Sequence, residues 1–189
     1  GEDVPGRDFG NFKNITISGT KFDDKTGDGV TADDAAFGGV TIFLDLDNSG
    51  TLTAGDVSTT TAANGAFSFP NLGPRAAGYR VREVVPANST QTAPAGGSYL
   101  VTALSGVDVT GRNFANFLNF TIRGTKFDDQ TGDGITADDP ALGGVTVFLD
   151  LDSSGTLNGG DVSTTTAADG TYSFPNLGPR AAGYIVREV

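Results

Sequence analysis

The densest chemistry in the sequence lies in one twelve-residue stretch, Asp45-Leu46-Asp47-Asn48-Ser49-Gly50-Thr51-Leu52-Thr53-Ala54-Gly55-Asp56. Counted from Asp45, oxygen-bearing side chains fall at positions 1, 3, 5 and 12, glycine at 6, and Thr51 at 7 can offer its carbonyl. That is the ligand spacing of an EF-hand-type calcium loop, where the sixth residue makes a sharp turn. Alternate residues of a tight loop point inward, so Asp45, Asp47 and Ser49 converge and Asp56 closes the shell. Hard oxygen donors, in a chain with no His and no Cys, select Ca2+ over zinc or copper. Position 12 is Asp rather than the longer bidentate Glu, which lowers the expected affinity. Ordinary turn chemistry would explain Gly50 and Asn48, but not acceptors at all four positions together. The same spacing returns with Asp150, Asp152, Ser154, Thr156 and Asp161.

The charge supports a held cation. The formal net charge is −11, and only Glu2, Glu83 and Glu188 are glutamates; the other 20 acids are Asp. Sixteen of those Asp lie in four windows, 23–34, 45–56, 128–139 and 150–161. A solubilising coat would be dispersed and would use Glu freely. One divalent ion in each of the four windows would bring the charge from −11 to −3. Such a surface repels nucleic acid and anionic membranes, so neither is an expected partner. No apolar run approaches the roughly 18 residues that span a bilayer, so no membrane insertion is expected. Without His or Cys the common hydrolytic triads and zinc hydrolases are excluded. A paired-carboxylate glycosidase is disfavoured because the Asp residues sit in turn-rich loops. The chain reads as a non-enzyme.

The elements that position these loops follow from a repeat. Residues 15–84 align without a gap on 120–189, an offset of 105, and differ at 14 of 70 positions. Residues 1–14 align at the same offset on 106–119. The expected organisation is therefore a closing strand of a preceding repeat at 1–14, a complete module at 15–119, and a second module at 120–189 lacking its last strands. Helix signals are absent, and strand signals are dense. Strands are expected at Asn14–Phe22, Gly39–Asp45, Val57–Ala62, Ala66–Leu72, Gly78–Val85, Tyr99–Leu104 and Val107–Phe117. Residues 86–98 read as a connection, and Asn64-Gly65 as a type I′ hairpin turn. In Gly78–Val85 the inward residues read as Tyr79, Val81 and, with a shift, Val84. About seven strands per 105 residues imply an all-β chain of tandem antiparallel β-sandwich modules, prealbumin- or Ig-like. Phe43, Phe67, Phe69 and Tyr79 are expected core.

The runs GTKFDDKTGDGVTADD, GGVTIFLDLDNSGTLTAGD, STTTAANGAFSFPNLGP and GYRVREV resemble the B-repeat domains of bacterial serine–aspartate repeat surface adhesins. These belong to the collagen-adhesin B-type group with a prealbumin-like sandwich. The resemblance spans the whole 105-residue unit and is most specific from Gly39 to Leu72. It implies an extracellular, bacterial cell-surface spacer stiffened by calcium, with neighbouring repeats, and identical chains in a fibre, as partners; any host ligand is unknown. It also implies a first calcium loop, in which Asp24, Thr26 and Asp28 match positions 1, 3 and 5 ahead of Gly29, with the Val30 carbonyl next. The family's closing Glu is replaced by Ala35, so Asp33 or Asp34 must substitute. In the second copy the set is Asp129, Thr131, Asp133, Ile135 and Asp138 or Asp139, with Pro140 in the closing place.

Related domains can join a first-strand Lys to a last-strand Asn through an amide bond assisted by a buried acid, which makes Lys21, Glu83 and Asn113 or Asn116 candidates. The position of Lys21 beside the acidic loop favours instead a solvated Lys21, with Glu83 paired outward to Arg80 or Arg82. Arg75 and Arg180 read as solvated loop residues. A module that binds a host protein or glycan, a pilin-like crosslinked subunit, and assembly by donation of residues 1–14 to another chain are the alternatives.

Overall fold

The computed structural model describes residues 5–189, and those residues are all β, with no helix. They form two compact units, the first ending at Phe117 and the second running from Leu118 to Val189.

Unit 1 is a two-layer sandwich. One layer has the order β2 (Ala35–Ala36), β1 (Ile15–Asp23), β9 (Phe114–Leu118), β7 (Ser89–Ala93), with β5 (Ala66–Leu72) also paired to β1. The other has the order β4 (Val57–Thr60), β3 (Thr41–Asp45), β6 (Tyr79–Glu83), β8 (Tyr99–Val101). Alternation sends Ile15, Ile17, Phe67, Phe69 and Phe114 inward from the first layer, and Ile42, Leu44, Tyr79, Val81 and Val101 inward from the second. Each such side chain removed from water contributes about 1.5–3 kcal/mol. Phe43 is buried too, on the face of β3 opposite Ile42 and Leu44.

Most pairing is antiparallel, but β1 and β9 run parallel, with Lys21, Phe22 and Asp23 opposite Phe114, Ala115 and Asn116. The close approach on this side depends on Gly19: a Cβ there would strike the backbone carbonyl of Arg112 and the ring of Phe67. Any larger residue at 19 would push the closing segment off β1.

Three expectations change. Residues 89–93, read as part of a connection, form β7; its sequence STQTA is polar and half-buried throughout, so it carries no apolar alternation to betray it. The closing strand is confined to 114–118; residues 107–113 follow β1 without forming a strand, through the Ile17–Val109 bridge, the Arg112 N–H to the Ser18 carbonyl (3.1 Å) and the Asp108 and Asn113 side chains. The turn at Ala62–Ala66 is not type I′. That turn needs positive φ at two consecutive residues, whereas only Gly65 (φ 73°) has it. Gly65 donates to the Ala62 carbonyl (2.8 Å) and Ala62 to that of Ala66 (2.9 Å), and the turn carries the chain from β4 in one layer to β5 in the other.

Unit 2 repeats the early part of this plan. β10 (Phe120–Thr125) pairs β13 (Thr171–Leu177), and β12 (Val162–Thr165), β11 (Thr146–Asp150) and β14 (Ile185–Glu188) form a second sheet. Its core gathers Val147, Leu149 and Phe174, with Ile122, Tyr172 and Tyr184 partly buried. Of the segment read as a preceding closing strand, residues 1–4 lie outside the described residues. Residues 5–14 carry no strand and hold to unit 1 through the Lys13 N–H to Ser105 Oγ (2.9 Å) and the Asn14 side-chain amide to the Asn71 carbonyl (3.2 Å).

Candidate metal centres and a buried Lys–Glu–Asn cluster

The second acidic loop leaves β3 at Asp45, whose side chain lies on the Phe43 face of the strand and is fully buried against Arg82. The loop folds around carboxylates. Asp45 accepts from the N–H groups of Ser49 (3.1 Å) and Gly50 (3.1 Å), and Asp47 from that of Ser49 (3.0 Å). Asp56 reaches back to accept from Leu46 N–H (2.8 Å) and Thr53 N–H (2.8 Å). The sharp turn is made by Gly50 at φ 82°, after Asn48 at φ 59°. Carboxylate oxygens of Asp45, Asp47 and Asp56 lie within 4.8 Å of one another. Oxygens about 2.3–2.6 Å from a shared calcium ion lie at most about 5 Å apart, so the spacing fits. Ser49 Oγ donates to the Thr51 carbonyl (2.9 Å), which places the fifth and seventh positions together. Asp150, Asp152 and Asp161 repeat the triad, with Ser154 Oγ to the Thr156 carbonyl at 3.0 Å.

Sequence reasoning missed two supports of this loop. Thr53 Oγ1 donates to Asp47 (3.1 Å) and Asp56 (3.2 Å), tying two members of the triad; Asn158 does the same work on Asp152 (2.9 Å). Both stand at position 9, a polar place in loops of this spacing. Arg75 is not a solvated loop residue: its guanidinium donates to the carbonyls of Leu46 (2.5 Å) and Gly78 (2.8 Å). Arg180, though exposed, repeats this on Leu151 and Gly183. A fork of rigid donors satisfies two carbonyls at once, which a sequence pattern does not reveal.

In the first loop the triad is Asp24, Asp28 and Asp34, again within 4.8 Å. Asp24 is buried and accepts from the N–H groups of Thr26 (3.1 Å), Gly27 (2.6 Å) and Gly29 (2.9 Å). Burial pushes its carboxyl up, but the Thr92 side chain and these backbone bonds together outweigh that and hold it below the usual Asp value. Thr26 Oγ1 donates to Asp28 (2.9 Å). Of the two closing candidates, Asp34 joins the triad, while Asp33 is turned to the Thr31 hydroxyl (2.6 Å). In unit 2, Asp129, Asp133 and Asp139 gather and Asp138 stays on Thr136. Val30 and Ile135 follow the loop glycines, where only their carbonyls could serve.

The donor sets pass a test of fit. Asp34 Oδ1 and Asp139 Oδ1 are buried and have no hydrogen-bond partner, and Asp139 as a residue is 8% exposed. A buried, unpaired carboxylate oxygen in an acidic cluster is costly unless a cation meets it. Exposed ligands are held in the charged form by their loops. Asp152 is lowered to about 2 by the Ser154 and Asn158 side chains, and Asp47 is lowered by Ser49.

A second constellation lies inside unit 1. Lys21 is completely buried, Glu83 is 6% exposed and Asn116 3%. Lys21 Nζ lies 3.4 Å from Glu83 Oε2 and donates to the Phe22 carbonyl (3.0 Å); the Asn116 amide donates to Glu83 Oε1 (2.9 Å). Glu83 Oε2 and Asn116 Oδ1 are buried without hydrogen-bond partners. The solvated Lys21 and outward-paired Glu83 expected from the sequence are thus overturned. Arg82 instead pairs with Asp45 (2.7 Å) and Arg80 donates to Ser98 (3.1 Å). Asn113 Oδ1 accepts from the Thr20 N–H (3.0 Å), so Asn116 is the residue that meets Glu83. Burial drives the Lys21 amine down against the opposing pull of Glu83, and drives the Glu83 carboxyl up against Lys21 and Asn116. Both shifts favour neutral forms. In unit 2 the corresponding Lys126 and Glu188 pair at 3.0 Å but are partly exposed.

No family model matches the sequence, and no curated protein does. Among solved structures the chain is similar to a streptococcal ancillary pilin, at 18% identity and a TM-score of 0.43 over 93% of this chain and 58% of that one. It is similar to the Bacillus anthracis TIE protein at 15% identity and a TM-score of 0.44, over 94% of this chain and 28% of the other. It is similar to the shaft pilin SpaA of Lactobacillus rhamnosus GG at 14% identity and a TM-score of 0.38, over 94% and 88%. The chain thus spans little more than half of the first and under a third of the second. No residue role follows from likeness at this level.

Proposed function

We propose that the chain is a piece of a repetitive bacterial cell-surface or extracellular fibre protein, in which each unit is an architectural spacer rigidified by Ca2+ in its acidic loops. The reading goes with the resemblance to serine–aspartate adhesin B-repeats, and it gives the chain no catalytic role toward other molecules. The observation that carries it is the return of one arrangement four times. In each window three carboxylates separated in sequence come within 4.8 Å. Without a cation such clustering destabilises the loop by like-charge repulsion. Calcium binding only to the folded state raises stability by about 2.7 kcal/mol per site at a hundredfold excess over its dissociation constant. For extracellular modules that constant is roughly 10⁻⁴–10⁻³ M. The test is a thermal melt followed by circular dichroism in calcium, in magnesium and in chelator. A midpoint raised by calcium alone supports the reading; three superimposable melts would sink it.

A second reading, of a fibre subunit with an internal covalent brace, is favoured by the buried Lys21–Glu83–Asn116 cluster. A neutral Lys21 amine attacks Asn116 Cγ, the new C–N bond forms, and the Asn116 amide nitrogen leaves as ammonia. Glu83, held protonated by burial, donates to the amide and takes up the proton released by the amine. Loss of one ammonia from the intact mass, abolished by K21A, tests it.

A further inference from the structure

We propose that Asp24 is a positioning residue for the Lys21–Asn116 bond as well as a cation ligand, so that filling the first acidic loop promotes formation of the crosslink. This rests on the calcium and crosslink readings above and adds a connection between them.

The connection is made by backbone. Asp24 donates its N–H to the carbonyl of Asn116 at 2.9 Å. The residue whose carboxylate opens the cation triad therefore holds the residue whose amide is attacked. The far end of the same loop returns to the nucleophile's strand: Ala35 and Ala36 pair with Asp23 and Phe22, and the Phe37 N–H donates to the Lys21 carbonyl at 2.8 Å. Loop residues 24–34 are thus anchored at one end to Asn116 and at the other to Lys21. The two reacting residues lie on strands held in parallel by a short register, Lys21–Phe114 to Asp23–Asn116. Anything that splays the loop loosens both anchors at once.

Three carboxylates within 4.8 Å, one of them with a buried unpartnered oxygen, repel one another and splay the loop. A divalent cation reverses the repulsion and fixes Asp24 in place. Near-attack geometry is sensitive to displacements of about 1 Å, so fixing this register should act mainly on the rate of bond formation.

The test uses the full chain produced in a bacterial cytosol and purified throughout in chelator. Calcium is then added, and loss of ammonia is followed by intact mass, with the Lys21–Asn116 peptide identified after digestion. Conversion should be about tenfold faster with saturating calcium than in chelator, within the rate loss that a displacement of about 1 Å can cause. D28N, which alters an exposed triad member touching neither Lys21 nor Asn116, should lose the response, converting at one rate with calcium or chelator, and D28E should recover it. Near-ultraviolet circular dichroism of each variant checks that it is folded. Conversion at the same rate in chelator, or a D28N chain that still responds to calcium, overturns the proposal while leaving the crosslink intact. No ammonia loss under any condition overturns both. Calorimetric titration of the same samples reports separately whether calcium binds.

Discussion

Arg82 Nε lies 2.7 Å from Asp45 Oδ2, and Arg187 stands in the same relation to Asp150, also at 2.7 Å. In each unit the innermost carboxylate of the second loop is thus already paired to a guanidinium from the neighbouring strand, which allows it to be buried with its charge. In chelator, R82A should cost about 1.5–3 kcal/mol, the worth of a hydrogen bond to a charged group. Calcium should recover much of that loss by taking over neutralisation of Asp45. The gap between the two melting midpoints should therefore be wider for R82A than for the parent chain. An unchanged gap would mean that Asp45 does not meet the cation.

Asp47 is the exposed member of the second-loop triad. D47N should leave the fold unaltered in chelator while weakening calcium binding at that loop about tenfold, or roughly 1.4 kcal/mol. Calorimetric titration of parent and variant measures the difference.

The loop carboxylates fix the pH range. Asp152 is held at about 2 against an ordinary value of 3.8. A depressed carboxylate gives its stabilisation above the unfolded pKa and loses it as pH falls through the folded one. The chelated chain should therefore show Asp152 titrating near 2 by carboxyl NMR shifts, with loop order fading between about pH 4 and 2.

E83Q and N116A should each retain the full mass of the chain and melt below the crosslinked parent. A Lys21–Asn116 bond would close a ring from residue 21 to 116. By the chain-entropy argument used for disulfides, its loss costs about 4–5 kcal/mol. The G19A substitution should act at a distance, because its Cβ meets the Arg112 carbonyl and lifts the closing segment. It should lower the crosslinked fraction while the second loop binds calcium unchanged.

The clustering of the second-loop carboxylates was legible because it is local: Asp45, Asp47 and Asp56 fall within twelve residues. The choice of Asp34 over Asp33 was not, since it depends on which side chain Thr31 draws away. The Lys–Glu–Asn cluster was misjudged although its signal was present. Lys21 falls in step with Ile15 and Ile17, Glu83 with Tyr79 and Val81, and Asn116 with Phe114, so period-two alternation puts all three inside. The supposed shift of register to Val84 hid this; Val84 is exposed and Glu83 keeps the phase. Strand β7 was invisible because four consecutive polar residues, Ser89 to Thr92, leave no periodicity to read. The parallel β1–β9 pair joins residues more than ninety positions apart, beyond the reach of any local pattern.

That parallel pair governs how unit 1 answers a pull. Tension on the chain draws β1 toward its start and β9 toward its end, so neighbouring strands slide lengthwise. The hydrogen bonds between them must then fail together and cannot unzip one by one. A bond between Lys21 and Asn116 would sit across that same seam. Force entering before residue 21 would leave after residue 116 without passing through the sequence between them, and the intervening chain, both acidic loops included, would carry no load.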